Sequence, residues 1–127
     1  MTQIKITDLS IGDWVMYNLD RYRVVQIDEE SEHVVISGAG GYWDKHIDYI
    51  EPICIKTDML FQNGFNTDNL SNKIWLYANG CLAITYFIEG SKLMITHGSD
   101  HLSKTIKYVH ELQRAFRTMG LTKEFEL

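Results

Sequence analysis

The sequence predicts an α+β fold: an N-terminal SH3-like small β-barrel packed with a C-terminal antiparallel β-meander that one amphipathic helix covers. Three observations predict it. Residues 1–55 break into short β-branched and aromatic runs divided by turn residues. Asn79-Gly80 stands between two alternating apolar runs. A stripe of apolar side chains recurs at helical spacing near the C-terminal end.

In the front half, Asp8-Leu9-Ser10-Ile11-Gly12-Asp13 reads as a turn leading into a strand at 14–17. Further strands follow at 22–27 and 33–36, a fourth begins at Tyr42-Trp43, and residues 47–55 close the unit. So many short strands in so few residues hide their edges best by curling into a barrel. Ile11-Gly12-Asp13-Trp14-Val15, followed by a Tyr-x-Val-Val-x-Ile strand, resembles the opening of SH3-like barrels of the KOW and Tudor kind. The domain reading is a barrel over 1–55, and a short helix, three-stranded sheet and C-terminal helix over 56–127.

The back half opens with a short helix that Thr57 or Asp58 can cap and that Gly64 stops. A polar loop over 66–72 follows. Asn-Gly then predicts a two-residue hairpin turn pairing Tyr77 with Leu82 and Trp75 with Ile84. A second turn near Glu89-Gly90-Ser91 adds the strand at 92–96. Strand parity places Trp75, Tyr77, Ile84, Tyr86, Leu93 and Ile95 on one face. A helix over 104–119, with Tyr108, Val109, Leu112, Ala115, Phe116 and Met119 on one stripe, is expected to cover that face. The opposite face, with Ile74, Leu76, Phe87 and Met94, is apolar enough that the barrel or another chain should cover it. Residues 121–127 alternate weakly, as an edge strand would.

Composition narrows the function. Hydrophobic residues are 45% and charged residues 23% of the chain, a globular balance with one proline. Met1-Thr2-Gln3-Ile4-Lys5 lacks the pattern of an export signal, so a cytoplasmic, membrane-free protein is expected. Cys54 and Cys81 form no CxxC pair and read as reduced, packed thiols. Residues 1–53 hold four Lys/Arg against ten Asp/Glu, a net of −6, while the remainder is near neutral at +1. An acidic front half suits a basic partner and grips phosphates poorly.

Chemistry-bearing constellations are sparse. His97-Gly98-Ser99-Asp100-His101 brings two imidazoles and a carboxylate together but has no second ligand pair, and reads as a polar loop, so no metal or cofactor is assigned. No nucleophile or second acid–base group can be placed beside His97, His101 or His110, and the expectation leans away from an enzyme. Two candidate surfaces remain. The barrel aromatics Trp14, Tyr17, Tyr22, Tyr42 and Trp43, beside an acidic loop, suit an extended peptide, basic or proline-containing, or else a cage for a methylated cation. Lys107, His110, Arg114 and Arg117 fall on the helix side away from the stripe, where a basic face suits phosphates.

Asp8-Leu9-x-Ile11-Gly12-Asp13-Trp14-Val15, Ile50-Glu51-Pro52-Ile53 leading to Asn63-Gly64-Phe65, and Ile106-Lys107-Tyr108-Val109-His110-Glu111-Leu112-Gln113 occur in that order. Together they resemble a family of uncharacterised small proteins from gut anaerobes, often associated with phages and other mobile elements. The resemblance implies a cytoplasmic protein and carries no activity, cofactor or catalytic residue. It marks His110 and Gln113 as residues of the shared motif. The function expected is a non-enzymatic protein-interaction module or accessory factor of a mobile element, binding an unknown protein partner. A homo-oligomer through the second sheet face is the further partner considered. The alternative is a nucleic-acid-associated accessory protein that uses the basic helix face.

Overall fold

The computed structural model describes residues 4–68, 71–121 and 123–127 of the chain. It divides into two compact units, Met1–Cys54 with Tyr108–Arg114, and Ile55–Lys107 with Ala115–Leu127.

In the first unit, β1 (Trp14–Tyr17), β2 (Asp20–Asp28), β3 (His33–Gly38) and β4 (Gly41–His46) form an antiparallel sheet in that order. Asn18 and Leu19 join β1 to β2 with φ of 51° and 70°, the two positive values that a type I′ hairpin turn demands. Val25 is the extra residue of a bulge: Val24 pairs with Ile36, and Gln26 with Val35. Val15, Tyr22, Val24, Val34 and Ile36 line the buried face, packed in one cluster with Ile4, Ile6, Leu9, Ile47 and Ile50.

Residues 47–55, expected to close the unit, form no strand. Ile47–Tyr49 is a 3-10 turn, and His46 Nδ1 accepts from Asp48 N–H at 3.1 Å at its start. The chain then meets β1 at one bridge, where Met16 and Glu51 exchange backbone hydrogen bonds of 2.9 and 2.8 Å. The next pair that could bond across to β1 is Trp14 and Ile53, but Trp14 N–H donates to Gln113 and Ile53 C=O accepts from Val109 N–H instead. Among the described residues the sheet is therefore open, with β1 and β4 at its ends.

The helix α2 (Val109–Thr118) gives its first turns to this unit. Ile53 C=O accepts from Val109 N–H at 2.8 Å, and Glu111 Oε1 accepts from Tyr108 N–H at 3.1 Å, the reach-back half of a capping box. Gln113 is buried and clamps the turn before β1. Its Oε1 accepts from Trp14 N–H at 2.8 Å, and its Nε2 donates to Gly12 C=O at 3.0 Å. The helix expected over 104–119 thus begins five residues later.

In the second unit, β5 (Asn66–Asp68), β6 (Ser71–Asn79), β7 (Leu82–Phe87), β8 (Lys92–His97) and β9 (Asp100–Thr105) make a five-stranded antiparallel sheet in sequence order. The sequence predicts three. β5 falls in the expected polar loop, whose Asn69 and Leu70 lie outside the described residues. β9 replaces the predicted helix start. As an edge strand exposed along most of its length it needs no apolar alternation, so its polar sequence carries no strand signal. The two-residue turn between β8 and β9 places Gly98, φ 63°, where a II′ turn favours glycine.

The Asn-Gly hairpin forms with its turn one residue later than predicted. Asn79 pairs with Leu82 across Gly80-Cys81, so Tyr77 meets Ile84 and Trp75 meets Tyr86. This moves the register by two residues, which leaves every side chain on its predicted face. Trp75, Ile84, Tyr86, Leu93 and Ile95 are buried, as are Ala115 and Phe116 of α2 in the same unit. On the opposite face Leu76 and Met94 are exposed, and Ile74 and Phe87 half-buried.

Two end-cap readings change. The short helix α1 (Thr57–Gln62) has Lys56 at its N-cap and no side-chain cap bond, so Thr57 and Asp58 lie inside its first turn. Residues 121–127 add no strand among those described, and Thr122 lies outside them. The tail is held instead by buried Asn63, whose Oδ1 accepts from Glu126 N–H at 2.7 Å and whose Nδ2 donates to Glu126 C=O at 2.6 Å. Phe125 is buried 6.4 Å from the Phe116 ring. Cys54 and Cys81 are both free and exposed, not packed as expected. Among the described residues no helix is long and apolar enough to cross a membrane.

Candidate interaction surface on the front sheet

The aromatic residues singled out from the sequence divide by strand parity. Val15 pairs with Tyr22, Ile36 with Trp43 and Val34 with Lys45, so Tyr17, Tyr22, Trp43 and Lys45 share the core side of the sheet. Trp14 and Tyr42 point to the other side, where Trp14 pairs with Arg23 and Tyr42 with Ser37. Five candidates are thus one cluster of three and two separate rings.

In the cluster, Tyr22 is buried and supports the Tyr17 ring, with centroids 6.2 Å apart. Trp43 lies 6.1 Å from Tyr17 and is 41% exposed. Lys45 Nζ sits 5.2 Å from the Tyr17 centroid and 5.7 Å from that of Trp43. Both distances lie within cation–π range, worth about 0.5–1 kcal/mol at an exposed site. The two rings are disposed to receive a cation, and an internal ammonium sits over them. Gly38 and Gly40 allow this packing. A Cβ on Gly38 would lie 2.6 Å from Tyr22 Cδ1, and one on Gly40 would lie 3.3 Å from the Tyr22 hydroxyl.

The other side of the sheet carries a second feature. Gln26, Ile27, Asp28, Glu29, Ser31, His33, Val35 and Asp44 line an open groove of about 500 Å³. Asp44 Oδ1 lies 3.0 Å from His33 Nδ1, and the His33 and His46 rings meet edge-on at 5.4 Å. Glu32 and Asp48 carboxylates lie 3.6 and 3.5 Å from the His46 nitrogens. Tyr42, 74% exposed, stands on this same side. Sequence reasoning missed Lys45, Asp44 and the groove. Tyr42-Trp43-Asp44-Lys45 alternates between the two sides of the sheet with polar and aromatic residues on both, a pattern that shows no hydrophobic period.

The basic helix face does not form as one exposed surface. Lys107 precedes α2, and Arg114 lies 3.4 Å from Asp8. His110, expected to face solvent, is 5% exposed and stacks on Tyr108 with centroids 5.9 Å apart. Among the described residues its Nδ1 has no hydrogen-bond partner. Burial pushes its imidazole below the ordinary value of 6.5, prevailing over the pull of the Glu111, Asp13 and Asp8 carboxylates.

His97 and His101 do not converge either. His97 pairs with Asp100 and His101 with Thr96, so the two imidazoles leave opposite faces of the β8–β9 hairpin. Among the described residues no three His, Cys, Asp or Glu side chains group as metal ligands. Compared with known protein families, curated proteins and solved structures, the chain matches none.

Proposed function

We propose that this chain is a non-enzymatic protein-interaction module whose front sheet recognises a basic segment of a partner protein. The observation that carries the reading is β4, which presents the half-exposed Trp43, held against Tyr17, on one side and Asp44, over a groove that Asp28 and Glu29 also line, on the other. The acidic balance of residues 1–53 supports it by attracting a cationic partner. We read the front unit as an SH3-like barrel that is not fully closed. In its favour, the chain leaves β4 through a 3-10 turn and returns to β1 at Met16 and Glu51. An accessory role in a phage or other mobile element, as the resemblance implies, accords with a module that binds and does no chemistry.

The test is a titration with a Lys/Arg-rich peptide, followed by tryptophan fluorescence and calorimetry. Binding weakened about fivefold or more by Trp43→Ala supports the reading, since covering an aromatic ring with an apolar side chain is worth about 1–2 kcal/mol. Failure of basic peptides to bind, or binding indifferent to Trp43, contradicts it.

A further inference from the structure

We infer that β4 is a docking edge, along which an extended basic segment of the partner adds as the next strand of the front sheet; the inference rests on the interaction reading above. β4 ends the strand order β1-β2-β3-β4, and among the described residues no strand pairs with its outer side. Ile47 N–H donates to Glu32 C=O at 2.8 Å across the end of the β3–β4 ladder. The alternation of an antiparallel ladder then turns the backbone groups of Gly41, Trp43 and Lys45 toward β3. Those of Tyr42, Asp44 and His46 point outward, a template for a further strand.

Natural edges are blunted by proline, a bulge or a charge projecting along the strand. β4 contains no proline, and its register with β3 is unbroken from His33–His46 to Gly38–Gly41. Its one lysine is drawn over the Tyr17 and Trp43 rings.

The chemistry of the occupant follows from the two sides of β4. A partner residue opposite Asp44 shares its side and falls beside the groove that Asp28, Glu29 and Asp44 line. Lysine or arginine is complementary there. The partner residues before and after it fall on the side of Trp43 and Lys45, where a β-branched apolar residue covers the indole. The segment recognised is therefore strand-forming, basic at alternate positions and apolar between them. A second copy of this chain is a poorer occupant, because two-fold antiparallel pairing centred on Asp44 sets two carboxylates side by side.

The geometry also says which partner amides matter. A residue hydrogen-bonded opposite Asp44 directs both its N–H and its C=O at β4, whereas its neighbours direct theirs away. The probe is a short capped peptide alternating Lys or Arg with Val, together with two N-methylated forms, titrated into the unaltered full chain. Methylation of the basic residues' amides is expected to weaken binding about tenfold or more, and methylation of the valine amides less than about threefold.

Equal binding of all three peptides overturns strand addition and leaves the interaction reading standing. Failure of the unmodified peptide to bind overturns both. A dimer in sedimentation velocity that the peptide dissociates overturns the choice of occupant, giving the edge to a second copy.

Discussion

Replacing Gln113 with methionine keeps the volume of the side chain and removes both of its hydrogen bonds. In the native chain the amide reaches from α2 to the turn before β1, accepting from Trp14 N–H and donating to Gly12 C=O. Gly12 itself is tied to β2, its N–H donating to Val24 C=O at 2.7 Å, so the turn cannot swing freely to recover what it loses. Each buried polar group deprived of its partner costs about 1–3 kcal/mol. Two such losses, less a gain from the more apolar methionine, give about 2–4 kcal/mol. In urea at neutral pH the midpoint should fall with the slope unchanged, because the surface exposed on unfolding is the same. Arg114→Ala is the internal control. It removes an exposed ion pair with Asp8 from the next position of the helix and should cost less than about 1 kcal/mol. A Gln113→Met loss no larger than that of Arg114→Ala would refute the claim that this amide fastens α2 to the front sheet.

Three further outcomes follow from the same geometry. His110 has its folded-state value lowered by burial, so as pH falls below about 6.5 the unfolded chain takes up this proton first, and stability drops by at most about 1.4 kcal/mol per pH unit; above that range His110 contributes no pH dependence. His110→Phe should lose this component, read as a smaller difference between urea midpoints at pH 7.5 and 5.5. Leu19 is exposed at φ 70°, and Leu19→Gly should raise stability by about 0.5–1 kcal/mol, relief of the left-handed strain outweighing the entropy of glycine, as thermal unfolding would show. Lys45→Gln removes a positive charge from β4 that repels a basic segment and should tighten binding of a basic peptide about two- to fivefold in calorimetry.

What was legible in the sequence was what a hydrophobic period encodes. The faces of β6, β7 and β8 followed from alternation alone, and they survived a misplaced turn because the resulting slip was an even number of residues. β9 was illegible because an edge strand exposed on both sides has no period, and Lys104 to Met119 then read as one long helix. His110 misled for a related reason. Helical projection assigns one buried stripe, but the first turns of α2 are buried on a second side against the turn before β1, by polar side chains that projection places in water. Lys45 was counted only as a charge. Its role depends on the pairing of β4 with β3, which brings Trp43 and Tyr17 together from separate strands. The return to β1 stops after one bridge because the next backbone groups, Trp14 N–H and Ile53 C=O, are taken by Gln113 and Val109, long-range partners that no local pattern announces.

The most direct test of the central claim is a backbone amide chemical-shift map of the full chain titrated with the alternating Lys–Val peptide. The account predicts saturable shifts concentrated at Tyr42, Asp44 and His46, with the Trp43 indole N–H moving alongside them. Shifts absent at saturating peptide, or centred on Lys104, Lys107 and Arg117 instead of the front sheet, would contradict it.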